Sequence, residues 1–260
     1  MADRLASSDT KPRLRTCRLE SAASKATTVG SQYAIVGSYA KTGNNFVKHA
    51  ALLRSNGEVN PANPVDVLHM GPPIVAGDET AHRNSSSKQI QADVIGDLLL
   101  DQSECEAVAD WLAGVEKEHR ELRLKLFEQY KILPHVDRDI SEEGRRGSRR
   151  FSCAGFVIEA YRAAEIELLD ITQLPQAKES DLQHAYSSLI EIEKRPVEVQ
   201  LKFGFKGRKD LGLSDEEGWP VALPGYLFHS TARASDESPR LGPYRPTGVH
   251  EACFPAGNAS

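Results

Sequence analysis

One stretch, residues 149–168, constrains the fold more than any other part of the 260-residue chain. It begins with two arginines, and the apolar positions that follow Cys153 are Phe156, Val157, Ala160, Tyr161, Ala164 and Leu168. This i, i+3, i+4, i+7 spacing is typical of a helix with one buried face. Ser152, just before it, is a residue type that caps helix N-termini. The sequence therefore predicts a buried helix whose first residue is a cysteine.

The position of Cys153 at a helix start has chemical consequences. The positive end of the helix dipole and the cations at Arg149 and Arg150 both favour the thiolate form of a cysteine. Cysteine proteases and acyltransferases place their nucleophile in such a setting. The alternative is structural, because free cysteines are most often small apolar residues of a core. The stretch alone favours that alternative, so a nucleophilic role requires a histidine in a compatible place.

Composition narrows the class of protein. Apolar residues make up 40% and charged residues 27% of the chain, as in globular proteins. A net charge of -5 argues against non-specific nucleic-acid binding. The four cysteines (17, 105, 153 and 253) have neither metal-ligand spacing nor the density of a disulfide framework. We therefore expect reduced thiols, no metal, no other cofactor and, since neither a secretory signal nor a membrane span is evident, a cytoplasmic location. Export by another route stays open.

Hydrophobic periodicity predicts both strands and helices. The predicted strands cover residues 33–39, 46–54, 65–70, 197–205 and, as a further possibility, 226–229. Asn56-Gly57 between two apolar runs indicates a hairpin turn. The predicted helices cover residues 103–133, opened by a Ser103–Glu106 capping box, and residues 181–194. The many charges and two glycines of residues 137–150 predict a loop.

These elements predict an α+β protein with one main domain. The domain covers residues 29–232 and contains a helical insertion at about 90–135. Residues 1–28 have few large apolar side chains and are predicted to form a disordered tail. Residues 233–260, with their prolines and glycines, are predicted to form an irregular C-terminal tail.

Two segments resemble the NlpC-type branch of the papain-like superfamily. Cys153-Ala154-Gly155-Phe156-Val157, continued by Ala160-Tyr161-Arg162-Ala163-Ala164-Glu165-Ile166, is similar to the nucleophile motif C-S-[GE]-F-V with A-Y-x-x-A-G-[IV]. His49-Ala50-Ala51-Leu52-Leu53 is similar to the strand that opens with the catalytic histidine of that family. Histidine before cysteine is the order of circularly permuted members, which include bacterial permuted peptidase-like proteins and lecithin retinol acyltransferase-like enzymes. Ala154 replaces the usual serine, and Glu165 the usual glycine.

The resemblance implies a fold, a site and an activity. The implied fold is permuted papain-like, with an antiparallel sheet packed against the nucleophile helix. Cys153 would be the nucleophile, His49 its base and His69 the third member that orients the imidazole. The implied activity is that of a thiol hydrolase or acyltransferase that cleaves an amide, ester or thioester through an acyl-enzyme. A peptidase or amidase is implied most readily, with a peptide, amide or acyl substrate.

Other interpretations of the same residues stay open. The second hypothesis is a catalytically inactive binding module, with the helix at 103–133 as its partner surface. A non-permuted arrangement would pair Cys153 with His229 or His250. The arginines at 145, 146, 149 and 150 would bind an anionic group or lie on a solvated loop. The sequence does not indicate an oligomeric state.

Overall fold

The computed structural model of the chain describes most of the segments that carry the predictions. These are residues 32–40, 43–55, 65–69, 75–77, 93–122, 137–140, 146–202, 205, 207–233 and 238–254. The predicted tail at 1–28 and the Asn56-Gly57 turn lie outside the described residues.

Five strands form one antiparallel sheet. They are β1 (Tyr33–Tyr39), β2 (Val47–Ser55), β3 (Val65–His69), β4 (Val75–Gly77) and β5 (Val94–Gly96), in the spatial order β4-β3-β2-β1-β5. The predicted strands at 33–39, 46–54 and 65–70 are confirmed to within one residue. Their β-branched and aliphatic residues suit a pleated surface buried on its core side.

Four other described strands form two further pairs. β6 (Asp137–Ile140) pairs with β7 (Arg146–Arg150), and β8 (Gln176–Ala177) pairs with β9 (Trp219–Pro220). The loop predicted over 137–150 is therefore wrong, because its described residues form an antiparallel strand pair. Backbone hydrogen bonds define a strand pair, and they can form between charged residues as well as apolar ones. A charge-rich sequence therefore gives no signal that predicts these two strands.

Five α-helices accompany the sheet in the described residues. They are α1 (Gln102–Leu122), α2 (Cys153–Arg162), α3 (Glu179–Ile192), α4 (Val197–Lys202) and α5 (Pro224–Thr231). The helix predicted over 181–194 is confirmed, and the one over 103–133 is confirmed as far as Leu122. Its cap lies two residues earlier than predicted. Asp101 accepts from the Glu104 backbone N–H at 2.9 Å, while its own N–H donates to the Glu104 carboxylate at 2.8 Å.

Two predicted strands are helices. The alternating run at 197–205 contains α4, and the run at 226–229 lies inside α5. Val197 is 64% exposed and Leu201 53% exposed, so the alternation did not mark a buried face. Pro224 occupies the start of α5, where the fixed φ of proline suits a helix.

The main core lies between the sheet and helices α2 and α5. Every residue of α2 from Cys153 to Tyr161 is buried. On the sheet, Ala50 and Leu52 of β2 are fully buried members of this core. A methyl group added at Gly37 of β1 would lie 2.6 Å from the Phe228 ring of α5, so the sheet and α5 are in close contact there. The chain is thus a mixed α+β protein with a small antiparallel sheet and several helices, as predicted.

The C-terminal segment, residues 238–254, is docked on this core. It contains one 3-10 turn, Val249–Ala252. The Phe254 backbone N–H donates to the Asn45 carbonyl at 3.0 Å, and the Tyr39 hydroxyl donates to the Phe254 carbonyl at 3.1 Å. Within the described parts of the chain, no helix combines the length and apolarity needed to cross a bilayer.

Candidate functional site

The N-terminal cap of α2 fixes the position of Cys153. Ser152 is fully buried and extended, and its hydroxyl accepts from the Gly155 backbone N–H at 2.9 Å. This is the predicted cap, and it satisfies one of the free donors of the first helical turn. Cys153 is therefore the first helical residue, as the sequence predicts.

Several hydrogen-bonding groups lower the pKa of the Cys153 thiol. They are the backbone N–H of Ala50 on β2, the Tyr186 hydroxyl on α3, and the backbone N–H groups of Cys153 and Ala154. Each of these favours the thiolate, because a donor stabilises the charged form. The sulfur is thus held where a strand and two helices meet.

Burial opposes these donors and outweighs them. Cys153 is only 1% exposed, and burial raises the pKa of its thiol to about 11. A charge that leaves water for a protein interior loses its solvation, which favours the protonated form. Burial thus opposes the thiolate that the helix start was predicted to favour, and a pKa of about 11 corresponds to a neutral thiol at about pH 7.

His49 adjoins the peptide that the sulfur contacts. The Ala50 N–H belongs to the His49–Ala50 peptide, so the sulfur lies beside the backbone of the predicted base. His49 is half-buried and pairs with Ser38 across the sheet. Ala50 is part of the core beneath α2, and successive side chains of a strand point to opposite sides. The imidazole therefore leaves β2 on the side opposite to the Ala50 methyl group.

His69 ends the neighbouring strand. It pairs with Val75 of β4, and the preceding residue, Leu68, pairs with Leu52 of β2. Continuing that antiparallel register by one residue sets the backbone of His69 beside Ala51. The two predicted histidine positions thus lie on adjacent strands, with His69 next to a residue two positions from His49.

The other sequence candidates lie elsewhere. The His229 ring nitrogen is 3.0 Å from the Cys253 carbonyl oxygen, and its ring contacts Tyr244 and Phe254. His250 is an exposed residue of the C-terminal segment. The contacts of His229 and the exposure of His250 give the non-permuted arrangement no support.

Arginines 146, 149 and 150 belong to β7, and Arg145 lies outside the described residues. Among the residues that the structure describes, His, Cys, Asp and Glu do not group in threes that would hold a metal ion.

Tyr186 belongs to the site and was missed by sequence reasoning. It is 3% exposed and lies at a break in α3, where φ is -130° and ψ is 34°. A tyrosine on the apolar face of an amphipathic helix has no local signal that separates it from a core residue. Only the tertiary contact between α3 and the start of α2 gives it a chemical role.

A comparison of the chain with protein-family models, with curated proteins and with solved structures finds no match in any of the three.

Proposed function

We propose that this chain is a cysteine-dependent hydrolase or acyltransferase of the permuted papain-like type. Cys153 forms an acyl-enzyme with an amide, ester or thioester substrate, and a peptidase or amidase activity is favoured. His49 is the base and His69 its orienting partner. The observation that supports the proposal is the contact of the Cys153 sulfur, at a capped helix start, with the peptide that follows His49.

The turn after α2 supports the same family. Glu165 has a φ of 60°, in the left-handed region that favours glycine. The family motif has glycine at the position that Glu165 takes here. The backbone at this position thus has a conformation that glycine favours, although the side chain differs.

The proposed reaction needs only Cys153, His49, the N–H groups at the helix start, the substrate and an acceptor such as water. His49 takes the thiol proton, and the sulfur attacks the carbonyl carbon to form a tetrahedral intermediate. The N–H groups at the helix start stabilise the oxyanion. The leaving amine, alcohol or thiol departs with the proton from the imidazolium, and water or a second acceptor then takes the acyl group from sulfur. In the described conformation Cys153 is buried and neutral, and the His49 imidazole leaves β2 on the side opposite to the core that holds Cys153. Turnover therefore requires a conformation that admits the substrate and brings the imidazole to the sulfur.

A catalytically inactive module is the second candidate. The 1% exposure of Cys153 and its raised pKa are those of a core thiol, and they favour this alternative. Under either proposal the protein works in the cytoplasm. The three described cysteines, Cys105, Cys153 and Cys253, are all free, as in a reducing compartment.

Labelling with electrophilic acyl and peptidyl probes separates the two candidates. We expect the probes to modify Cys153 much faster than Cys105, which is also a buried cysteine. His49→Ala should slow the modification about a hundredfold, since general-base catalysis typically contributes that much.

The two control variants each remove one buried cysteine. Cys153→Ala should abolish labelling, and Cys105→Ala should leave it intact. Equal labelling of Cys153, Cys105 and Cys253, or full reactivity of His49→Ala, would reject the enzyme and favour the binding module.

A further inference from the structure

Helix α3 consists of two legs that meet at Tyr186. The backbone angles of Tyr186, φ -130° and ψ 34°, are not helical, and they separate a first leg, residues 179–185, from a second leg, residues 187–192. Leu182 of the first leg is fully buried in the main core, and Tyr186 is buried as well. The first leg and the break are therefore anchored in the core.

The chain beyond Tyr186 returns to the core at Phe205. Phe205 is buried, and its backbone N–H donates to the Gln200 carbonyl at 2.9 Å. Between these two aromatic residues lies α4, of which no residue is buried. The Gln200 side chain donates to the Glu193 carbonyl at 2.9 Å and so ties α4 to the end of the second leg. Residues 187–202, the flap, therefore form one unit between two buried aromatic residues.

One arginine joins the flap to the start of α3. Arg208 opens the 3-10 turn Arg208–Leu211. Its Nε donates to the Glu193 carboxylate at 2.7 Å, and its Nη2 donates to the Glu179 carboxylate at 3.0 Å. A straight helix would place the α carbons of these two glutamates about 21 Å apart. Both carboxylates reach one guanidinium because α3 bends at Tyr186.

The three charged groups of this contact are open to solvent ions. The side chains of Arg208, Glu179 and Glu193 are each about one-third exposed. Salt weakens ion pairs at such exposure, because mobile ions screen charges that are in contact with water. The apolar burial of Tyr186 and Phe205 does not depend on charge. Ionic strength can therefore loosen the contact of Arg208 while the two aromatic anchors hold.

We propose that the flap opens about Tyr186 and Phe205 and that Arg208 is the electrostatic latch that holds it closed. In the open state the bond between Arg208 and Glu193 is broken, and the second leg of α3 moves away from the first. Ionic strength sets the balance between the closed and the open state. The inference does not rest on the proposed function, since it needs no reaction at the candidate site.

The substitution Arg208→Gln tests the latch because it removes the charge. Amide hydrogen exchange, followed by mass spectrometry, measures the opening of residues 187–194 at about 20 mM and at about 0.5 M NaCl. At low salt the variant should exchange about threefold faster there than the wild type, which is the effect of one partly exposed ion pair. At high salt the wild type should approach the variant. Peptides of α2 should exchange equally in both proteins, since the core is unchanged.

Lys209→Gln is the matched control. Lys209 is the next residue of the same turn, and its ammonium pairs with Asp215, outside the flap, at 2.8 Å. This variant loses the same charge and should exchange at the wild-type rate over residues 187–194. Glu193→Gln should match Arg208→Gln, and the double variant should exchange no faster than either, since both changes break one bond.

Three results would overturn the inference. The first is equal exchange of residues 187–194 in Arg208→Gln and Lys209→Gln. The second is an increase that extends equally to α2, or effects of Arg208→Gln and Glu193→Gln that add in the double variant. The third is a wild-type rate that does not change between low and high salt, which would reject an electrostatic latch.

Discussion

Cys153 holds its proton more tightly in the folded protein than in the unfolded chain. Its donors, from β2, α3 and the start of α2, stabilise the anion, but the loss of water around the sulfur costs more. A helix N-terminus is therefore not sufficient to make a reactive cysteine. Burial of the sulfur decides the sign of the pKa shift, and segments distant in sequence produce that burial.

This shift predicts a loss of stability in alkaline solution. Below the ordinary thiol pKa of 9.0 both states hold the proton, and the stabilisation is fully present. As the pH rises from there to the folded value of about 11, the unfolded chain ionises first, so the free energy of unfolding falls. Two pKa units correspond to a maximum loss of about 2–3 kcal/mol.

Urea denaturation at about pH 8 and about pH 10.5 measures the effect. The wild type should lose about 2 kcal/mol more than Cys153→Ala over this interval. Other groups titrate equally in both proteins and cancel. Equal losses in the two proteins would show that the thiol is solvated in the native state.

At the scale of the element, α2 is well specified at its start and strained just beyond its end. Ser152 caps it with favourable geometry, whereas Glu165, in the turn that follows, adopts left-handed backbone angles. Such angles cost a residue with a Cβ atom about 1–2 kcal/mol. This strain follows from the backbone angles of Glu165 alone and does not depend on its contacts with other residues.

Glu165→Gly should therefore stabilise the protein by about 0.5 kcal/mol, since relief of the strain exceeds the entropy that glycine adds to the unfolded chain. Glu165→Ala removes the same charge but keeps the Cβ atom, so it should give no gain. Free energies of unfolding from urea titrations test the pair. A gain with alanine as large as that with glycine would assign the effect to charge.

The elements that the sequence predicted correctly carry a distinct local pattern. Apolar runs predict the strands at 33–39 and 46–54, which are buried in part on both faces, and a helical period predicts the helix at Cys153. The eight residues of α5 are too few to show a helical period, and the apolar residues Val197 and Leu201 of α4 are exposed. Local pattern predicts an element where the pattern is long and distinct, and tertiary context decides the rest.

The same limit applies to the candidate site. The cap, the helix start and the adjacent strands were predictable because each depends on a few neighbouring residues. The enclosure of the sulfur was not, because it depends on Tyr186 and on the packing of α3. The identity of the site residues is thus a local property of the chain, whereas their chemistry is a property of the assembled fold.

At the scale of the whole molecule, the C-terminal segment, residues 238–254, pairs with parts of the chain that are distant in sequence. Phe46 and Cys253 form an isolated antiparallel bridge, and Leu169 and Tyr244 form a parallel one. The 3-10 turn Val249–Ala252 packs against α5, with Gly225 at the point of closest approach. A methyl group there would lie 2.1 Å from the Ala252 carbonyl oxygen, which is a backbone atom.

Gly225→Ala should therefore destabilise the protein by about 3 kcal/mol, because overpacking against backbone cannot be relieved by a side-chain rotation. Gly242→Ala is the matched control, since a methyl group at that position meets no atom within 4 Å of it. Thermal unfolding should show a clearly lower Tm for the first variant alone. Equal Tm values would mean that the C-terminal segment moves to accommodate the added methyl group without a loss of stability.

The enclosure of α2 has a consequence for amide exchange with deuterated solvent. Its residues from Cys153 to Tyr161 are buried on every side, so their N–H groups cannot meet solvent by fraying of one face. They should exchange only in openings that also uncover the Cys153 sulfur. The protection factor of α2 and the accessibility of its cysteine are then two measures of one opening equilibrium, and the proposed enzyme would need that same opening to admit its substrate.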